Sequence, residues 1–317
     1  MRWKKLGHVF DVRRISMPEG SVGYAQAPQA LLVDDVVRVF FSTRVLDSEG
    51  LFVSRPAFAD LDRTLTNVLR VSALDLLPVG GLGTFDEHGI FPMSVVRVGP
   101  RVYGYTTGWS RRVAVPVETA IGLAISDNDG LTFERYGPGP ILAASPHEPF
   151  LVGDAFVRAI EGRFHMWHIF GTSWMGGEDG AQPERTYKIG HATSLDGIAW
   201  DREDGRQIVP DRLGPDEAQA LPTVLEVGGV ASMAYCYRRS TDFRTNPARS
   251  YRTGFAQSTD LQDWHRLDDP LEVGGVGEWD GEMQCYPSLL ALDDDVFLFY
   301  NGNEFGRHGF GVAELER

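Results

Sequence analysis

The chain has 317 residues, a formal net charge of −14, 36 glycines, 18 prolines, 11% aromatic residues and two cysteines. Such acidity disfavours nucleic acid and anionic membranes as partners, and no basic run offsets it, because Arg111-Arg112 and Arg238-Arg239 are isolated pairs. Cys236 and Cys285 fall in expected buried strands and read as free core thiols rather than a disulfide framework.

Residues 1–8 carry charge but no apolar core, so no signal peptide is expected; no stretch reaches the length of a membrane span, and the expected location is the cytoplasm. Residues 3–10 are strand-like and stand alone. A repeated unit then begins. A short apolar run crosses a Gly/Asp turn and returns as a second run ending in polar or aromatic residues. The copies are 27–33 into 38–44, 91–96 into 102–105, 154–157 into 164–168, 221–225 into 233–237, and 286–290 into 296–300. They recur about every 65 residues and use almost the whole chain.

A second motif follows three of these hairpins: Ile121-Gly122-Leu123-Ala124-Ile125-Ser126, Ile189-Gly190-His191-Ala192-Thr193-Ser194 and Thr253-Gly254-Phe255-Ala256-Gln257-Ser258. Phe133, Trp200 and Trp264 come shortly after each Ser and read as packing residues. The Asp/Gly segments between them, such as Ser194-Leu195-Asp196-Gly197 and Asp127-Asn128-Asp129-Gly130, lack the later bidentate carboxylate of a calcium loop and read as β-turns. A strand-and-turn period of this size predicts an all-β, five-bladed β-propeller, one domain spanning 1–317. The last unit ends at 309–315 without an outer strand, so residues 3–10 are expected to supply it and close the ring, removing an exposed edge.

Residues that break the apolar pattern where the first strands converge are the candidate chemistry. The Pro of each first strand (Pro28, Pro92, Pro222, Pro287) serves as a register mark, with Ala155 in that role in the third unit. Immediately before the mark stand Ala27, Phe91, Asp154, Leu221 and Tyr286, so Asp154 is the single carboxylate of that column. An ionised group in a buried strand is costly unless paired or put to chemical use. Five residues before the mark stand Glu87, Glu217 and Glu282, and the third unit has Glu148 seven before. Together with Asp86 these are expected to gather at the central mouth and raise one another's pKa. The alternative for the repeated glutamates is capping of backbone amides in the neighbouring blade. Gln26, Arg44, His88, Trp109, Trp174, Arg238 and Asn301 flank the strands and suit a sugar ring, with its apolar CH faces and hydroxyl edges. No His/Asp/Glu spacing points to a metal, and no cofactor is expected.

The five-unit layout with its Ser-x-Asp-Gly-x-x-Trp segments resembles the five-bladed propeller glycosidases: the arabinanase/β-xylosidase, invertase–levansucrase and mannoside-phosphorylase groups. That resemblance implies a carbohydrate-active enzyme, with a glycoside substrate and a carboxylate acid/base pair. In the arabinanase/β-xylosidase pattern a blade-one Asp is the base, a blade-three Asp tunes the acid and a blade-four Glu is the acid. Asp154-Ala155-Phe156-Val157 is similar to the blade-three element, and Glu217 is the available blade-four Glu. Blade one carries Gln26 and Gln29 instead of an acid, so the base is expected from blade two, Asp86 or Glu87. A phosphorylase or transferase, with Arg44, His88 or Arg238 seating phosphate, and a non-catalytic sugar-binding propeller are the alternatives.

Overall fold

A computed structural model describes residues 1–176 and 182–316. The strands run in antiparallel meanders, each wound outward from a first strand that is buried along most of its length. Strands β2 (Gln26–Val33), β3 (Val36–Leu46), β4 (Phe52–Leu61) and β5 (Val68–Val71) form one meander. A second, β6 (Gly89–Val98), β7 (Arg101–Arg111), β8 (Val117–Ser126) and β9 (Glu134–Arg135), joins it through one parallel pairing, Ser54 with Gly89. Separate four-stranded sheets follow: β10 (Val152–Ile160), β11 (Arg163–Met175), β12 (Glu184–Ser194) and β13 (Asp201–Arg202), then β14 (Glu217–Val227), β15 (Val230–Arg239), β16 (Arg252–Ser258) and β17 (His265–Arg266). The last sheet contains β18 (Cys285–Leu292), β19 (Asp295–Asn301), β20 (Gly309–Leu315) and, outermost, the N-terminal strand β1 (Trp3–Asp11). No helix among the described residues is long and apolar enough to cross a membrane.

The first strands pack on one another in order, β2 on β6, β6 on β10, β10 on β14 and β14 on β18, and β18 packs back on β2. Each is broken at the same place. The pairing register of β2, β6, β10, β14 and β18 slips at the register mark. Ala27, Asp154, Leu221 and Tyr286 there have φ of 53°, 52°, 46° and 58°. These are bulges, and the Pro that follows Ala27, Leu221 and Tyr286 suits them because it has no N–H to give to a ladder; after Asp154 that place is taken by Ala155. Left-handed backbone at a non-glycine residue costs on the order of 1 kcal/mol, so these sites are held by their surroundings.

Large side chains fill the wedges between sheets. Phe10 stacks on Phe310 with centroids 4.9 Å apart and leans on Phe41 at 5.3 Å. Phe133 meets Phe40, Trp200 meets Tyr105, and Trp264 meets Trp167 edge-on. The aromatic residues after the Ser motifs therefore pack between units, as their positions predict. The Ser-x-Asp segments close on themselves: Asp196 Oδ1 accepts from the amides of Ile198 and Ala199 and from Ser194 Oγ. Asp260 repeats this with the amides of Gln262 and Asp263, which hold its carboxyl down at about 2. Cys236 and Cys285 are free and buried.

Candidate functional site

A cavity of about 510 Å³ opens where the first strands converge. Phe91 and Tyr286, both at the bulge position, form part of its wall and touch edge to face at 5.3 Å. Trp109, Tyr187, Tyr251 and Phe305 add further aromatic surface. Phe305 reaches it from the turn 303–306, where both Glu304 and Phe305 have left-handed backbone, φ 55° and 58°. The guanidinium groups belong to Arg44, Arg185, Arg238 and Arg244, and the carboxylates to Glu282 and Glu304.

Asp154 shares the bulge position with Phe91 and Tyr286 on the ring of first strands, 8% exposed; unlike them it stands behind the lining of the cavity rather than in it. The bulge turns its own amide to Thr107 Oγ1 at 2.7 Å. The carboxyl receives one backbone N–H, from Leu221, at a long 3.4 Å. Burial therefore dominates and pushes its pKa up from 3.8 to about 7, with the Leu221 amide and the Arg185 charge opposing. It is a carboxyl group that titrates near neutrality.

Of the other residues singled out by sequence, Gln26, Arg44, Trp109, Arg238 and Glu282 line the cavity. Gln26 bridges Arg44 Nε (3.0 Å) and the Phe305 carbonyl (2.6 Å), so it orients the arginine. Arg238 is 1% exposed, lies over the Phe243 ring at 3.6 Å and donates to Tyr187 Oη at 3.0 Å. Glu282 is exposed on the rim. Trp174 stands behind the wall, with the Arg185 guanidinium 5.8 Å from its ring. His88 stacks beside Trp109 at 6.0 Å.

The remaining carboxylates are not brought to the cavity. Glu217 is fully buried and its oxygens are taken: Oε1 by Arg266 (2.6 Å) and Gln219 (3.0 Å), Oε2 by the amides of Arg212 and Leu213. Both oxygens are thus engaged within the protein, and Glu217 is not among the residues lining the cavity. Asp86 pairs with Arg135, and Glu148 lies 3.1 Å from Arg202 and accepts from the Gly205 amide at 3.0 Å. Glu87 accepts from the Gly83 amide at 2.8 Å and sits 3.4 Å from His88. Asn301, fully buried, ties β19 to β2 and β20 through Ala27 N, Ala25 O and Gly309 O. The expected gathering of glutamates is thus replaced by a repeated clasp. Asp86, Glu148, Glu217 and Asp280, each at the entry to a first strand, hold a cation on the outermost strand of the same sheet: Arg135, Arg202, Arg266 and Lys5. These clasps are ion pairs within one sheet and differ from the amide capping across blades expected as the alternative.

Sequence reasoning passed over Arg185, Arg244, Tyr187, Tyr251 and Phe305. A signal existed for Arg185: it opens β12 directly across from Trp174, the aromatic at the end of β11.

No family model matches the chain. Over 324 aligned positions it is 32% identical to the uncharacterized protein Rv1502 of Mycobacterium tuberculosis (strain H37Rv), covering 100% of both chains. The uncharacterized protein MT1551 of strain CDC 1551 matches to the same extent. The chain belongs to the Rv1502 family. Solved structures share the fold of this Rv1502-family member, and several of them are described as glycoside hydrolases. A structure described as a glycoside hydrolase superposes with a TM-score of 0.76 at 16% identity, covering 99% of this chain and 93% of that one. A thermostable family-43 glycoside hydrolase gives 0.67 at 13% identity, with 95% and 93% covered. The β-1,2-mannobiose phosphorylase from Listeria innocua gives 0.68 at 13%, with 100% and 97% covered.

Proposed function

We propose that residues 1–317 form a single five-bladed propeller, closed by β1, and that it is a carbohydrate-active enzyme, a glycoside hydrolase in the first instance. The two halves of the eight-stranded sheet count as separate blades, because one residue pair joins them. The fold shared with glycoside hydrolases and a mannobiose phosphorylase supports the class. The observation that carries the reading is Asp154, a carboxyl raised to about 7 at the convergence of the first strands. Such a group is about half protonated at neutrality, and its protonated form can give the proton to a departing glycosidic oxygen. Glu282, exposed on the rim of the same cavity, is the carboxylate available to activate water. Trp109 and Tyr286 offer faces to a sugar ring, and Gln26 and Arg44 offer donors to its hydroxyls. This assignment replaces Glu217 and Asp86, whose partners lie in the sheet clasps, and Glu87, whose partners are the Gly83 amide and His88.

The arginine-rich wall favours phosphorolysis as a second reading, with inorganic phosphate in the place of water. The test is a panel of aryl glycosides incubated with the purified protein, with and without phosphate. Turnover of at least one, a bell-shaped pH–rate profile with one limb near neutrality, and loss of turnover in Asp154→Asn are expected. Sugar binding without turnover of any glycoside would leave a binding module and sink the enzymatic reading.

A further inference from the structure

The cavity concentrates positive charge in a chain whose net charge is −14. Two of its charged groups are matched: Arg244 pairs with Glu184 at 3.0 Å, and Glu304 pairs with Arg307 at 2.8 Å. Arg44, Arg185 and Arg238 have no carboxylate within ion-pair distance among the described residues. Arg44 is held by Gln26 and by the rings of Tyr24 and Phe52. Arg185 rests near the Trp174 ring. Arg238, 1% exposed, is satisfied in part by neutral oxygens, the Arg239 and Arg185 carbonyls and Tyr187 Oη. Its Nε is buried without any acceptor.

Burying guanidinium groups beside aromatic rings instead of carboxylates is costly unless something else supplies the negative charge. Glu282 and Glu304 line the same cavity, but among the described residues neither pairs with these three arginines, and Glu304 is taken by Arg307. The clasps show the contrast. Arg135, Arg202 and Arg266 on the outer strands each meet a buried carboxylate, whereas the three in the cavity face open volume.

Resting on the carbohydrate reading, we propose that Arg44, Arg185 and Arg238 form a seat for an oxyanion, so that the ligand is an acidic sugar or a sugar accompanied by phosphate. Carboxylate and phosphate share the chemistry that a guanidinium fork recognises, two oxygens accepting parallel N–H bonds. The aromatic surface beside the arginines takes the ring while the arginines take the charge.

Titration calorimetry with D-glucuronate, D-galacturonate and glucose 6-phosphate, each against its neutral sugar, tests the seat. Inorganic phosphate forms a separate arm. Charged probes should bind about tenfold or more tighter than neutral ones, the gap narrowing as salt rises. Arg185→Gln is the variant of choice, because no hydrogen bond from its guanidinium holds the fold together among the described residues. It should abolish most of that gap while leaving the melting temperature near that of the parent. Tighter binding of sugar acids than of phosphate alone assigns the charge to the sugar; equal binding of phosphate alone assigns it to a free co-substrate. Both retain the seat. No discrimination between charged and neutral probes, or discrimination unchanged in folded Arg185→Gln, overturns it. Turnover of neutral aryl glycosides without charge discrimination would remove this inference and spare the enzymatic reading. Charge discrimination with no turnover would do the reverse.

Discussion

Asp154 differs from the other buried carboxylates among the described residues by what it lacks. Asp60, Asp86, Glu148, Glu217 and Asp280 each meet a cationic side chain, and Asp154 meets one long amide contact. Its folded-state pKa of about 7 lies above the unfolded value of 3.8, which fixes the sign of its effect on stability. Below pH 3.8 the carboxyl is protonated in both states and costs nothing. Between 3.8 and 7 the unfolded chain has released the proton while the folded one keeps it, so stability falls as pH rises. Above 7 the full penalty is present, roughly 4 kcal/mol at 1.36 kcal/mol per unit. Asp154→Asn removes the ionisation, so the variant should gain stability over the parent at pH 8 and gain none near pH 4, while turnover is lost. Urea unfolding at the two pH values checks this. A variant less stable than the parent at both would make Asp154 a structural residue. A stability cost retained at one position is the mark of a group kept for chemistry.

The sheet clasps act at the scale of elements. Each fixes the loop that enters a first strand to the last strand of the same sheet, and so sets where the cavity wall begins. Glu217→Gln leaves Arg266, whose side chain is 9% exposed, without its charge partner, and should cost about 3–5 kcal/mol in chemical denaturation. Activity per folded molecule should be unchanged, and a rate loss at full folding would return Glu217 to the site. Glu87→Gln, losing one contact to the Gly83 amide at the surface, should stay within about 0.5 kcal/mol of the parent. These clasps explain what the sequence could and could not convey. The register mark was legible, because a Pro in each first strand is local chemistry, although the bulge it sits beside was not foreseen; Asp154 stood out because it alone breaks an apolar column. The glutamates misled because spacing to the Pro does not preserve their role. Entry loops of different length put Asp86, Glu148, Glu217 and Asp280 in the same clasp from different offsets, and the partner of Glu217 lies 49 residues away. The rest of the aromatic and arginine wall was hidden for a related reason: Tyr24, Arg185, Arg244 and Phe305 come from four different strands and loops and meet only after assembly.

For the whole molecule, the N-terminal strand is where the chain is most exposed to failure. β1 is the outer strand of the sheet that ends in β20, and besides its ladder with β20 three side-chain contacts carry much of its attachment. Phe10, fully buried, stacks on Phe310; Trp3 stacks on Phe255 at 5.4 Å; Lys5 reaches the buried Asp280 at 2.6 Å. Burying one such aromatic side chain contributes about 1.5–3 kcal/mol, and a buried carboxylate left without its cation costs about 3–5 kcal/mol. Deleting residues 1–11 removes all three at once and uncovers the edge of β20. At roughly 2–4 °C per kcal/mol for a chain of this order of size, the melting temperature should fall by on the order of 10 °C or more. The uncovered edge should also drive association, visible as higher-mass species in gel filtration. Phe10→Ala separates the two effects: it empties a core site, costing about 3–5 kcal/mol, but keeps the edge covered, so it should melt early and remain monodisperse to the same degree as the parent. A truncated chain melting within a few degrees of the parent would mean that β1 is an accessory strand, and that the other sheets hold the first strands, and hence the cavity, without it.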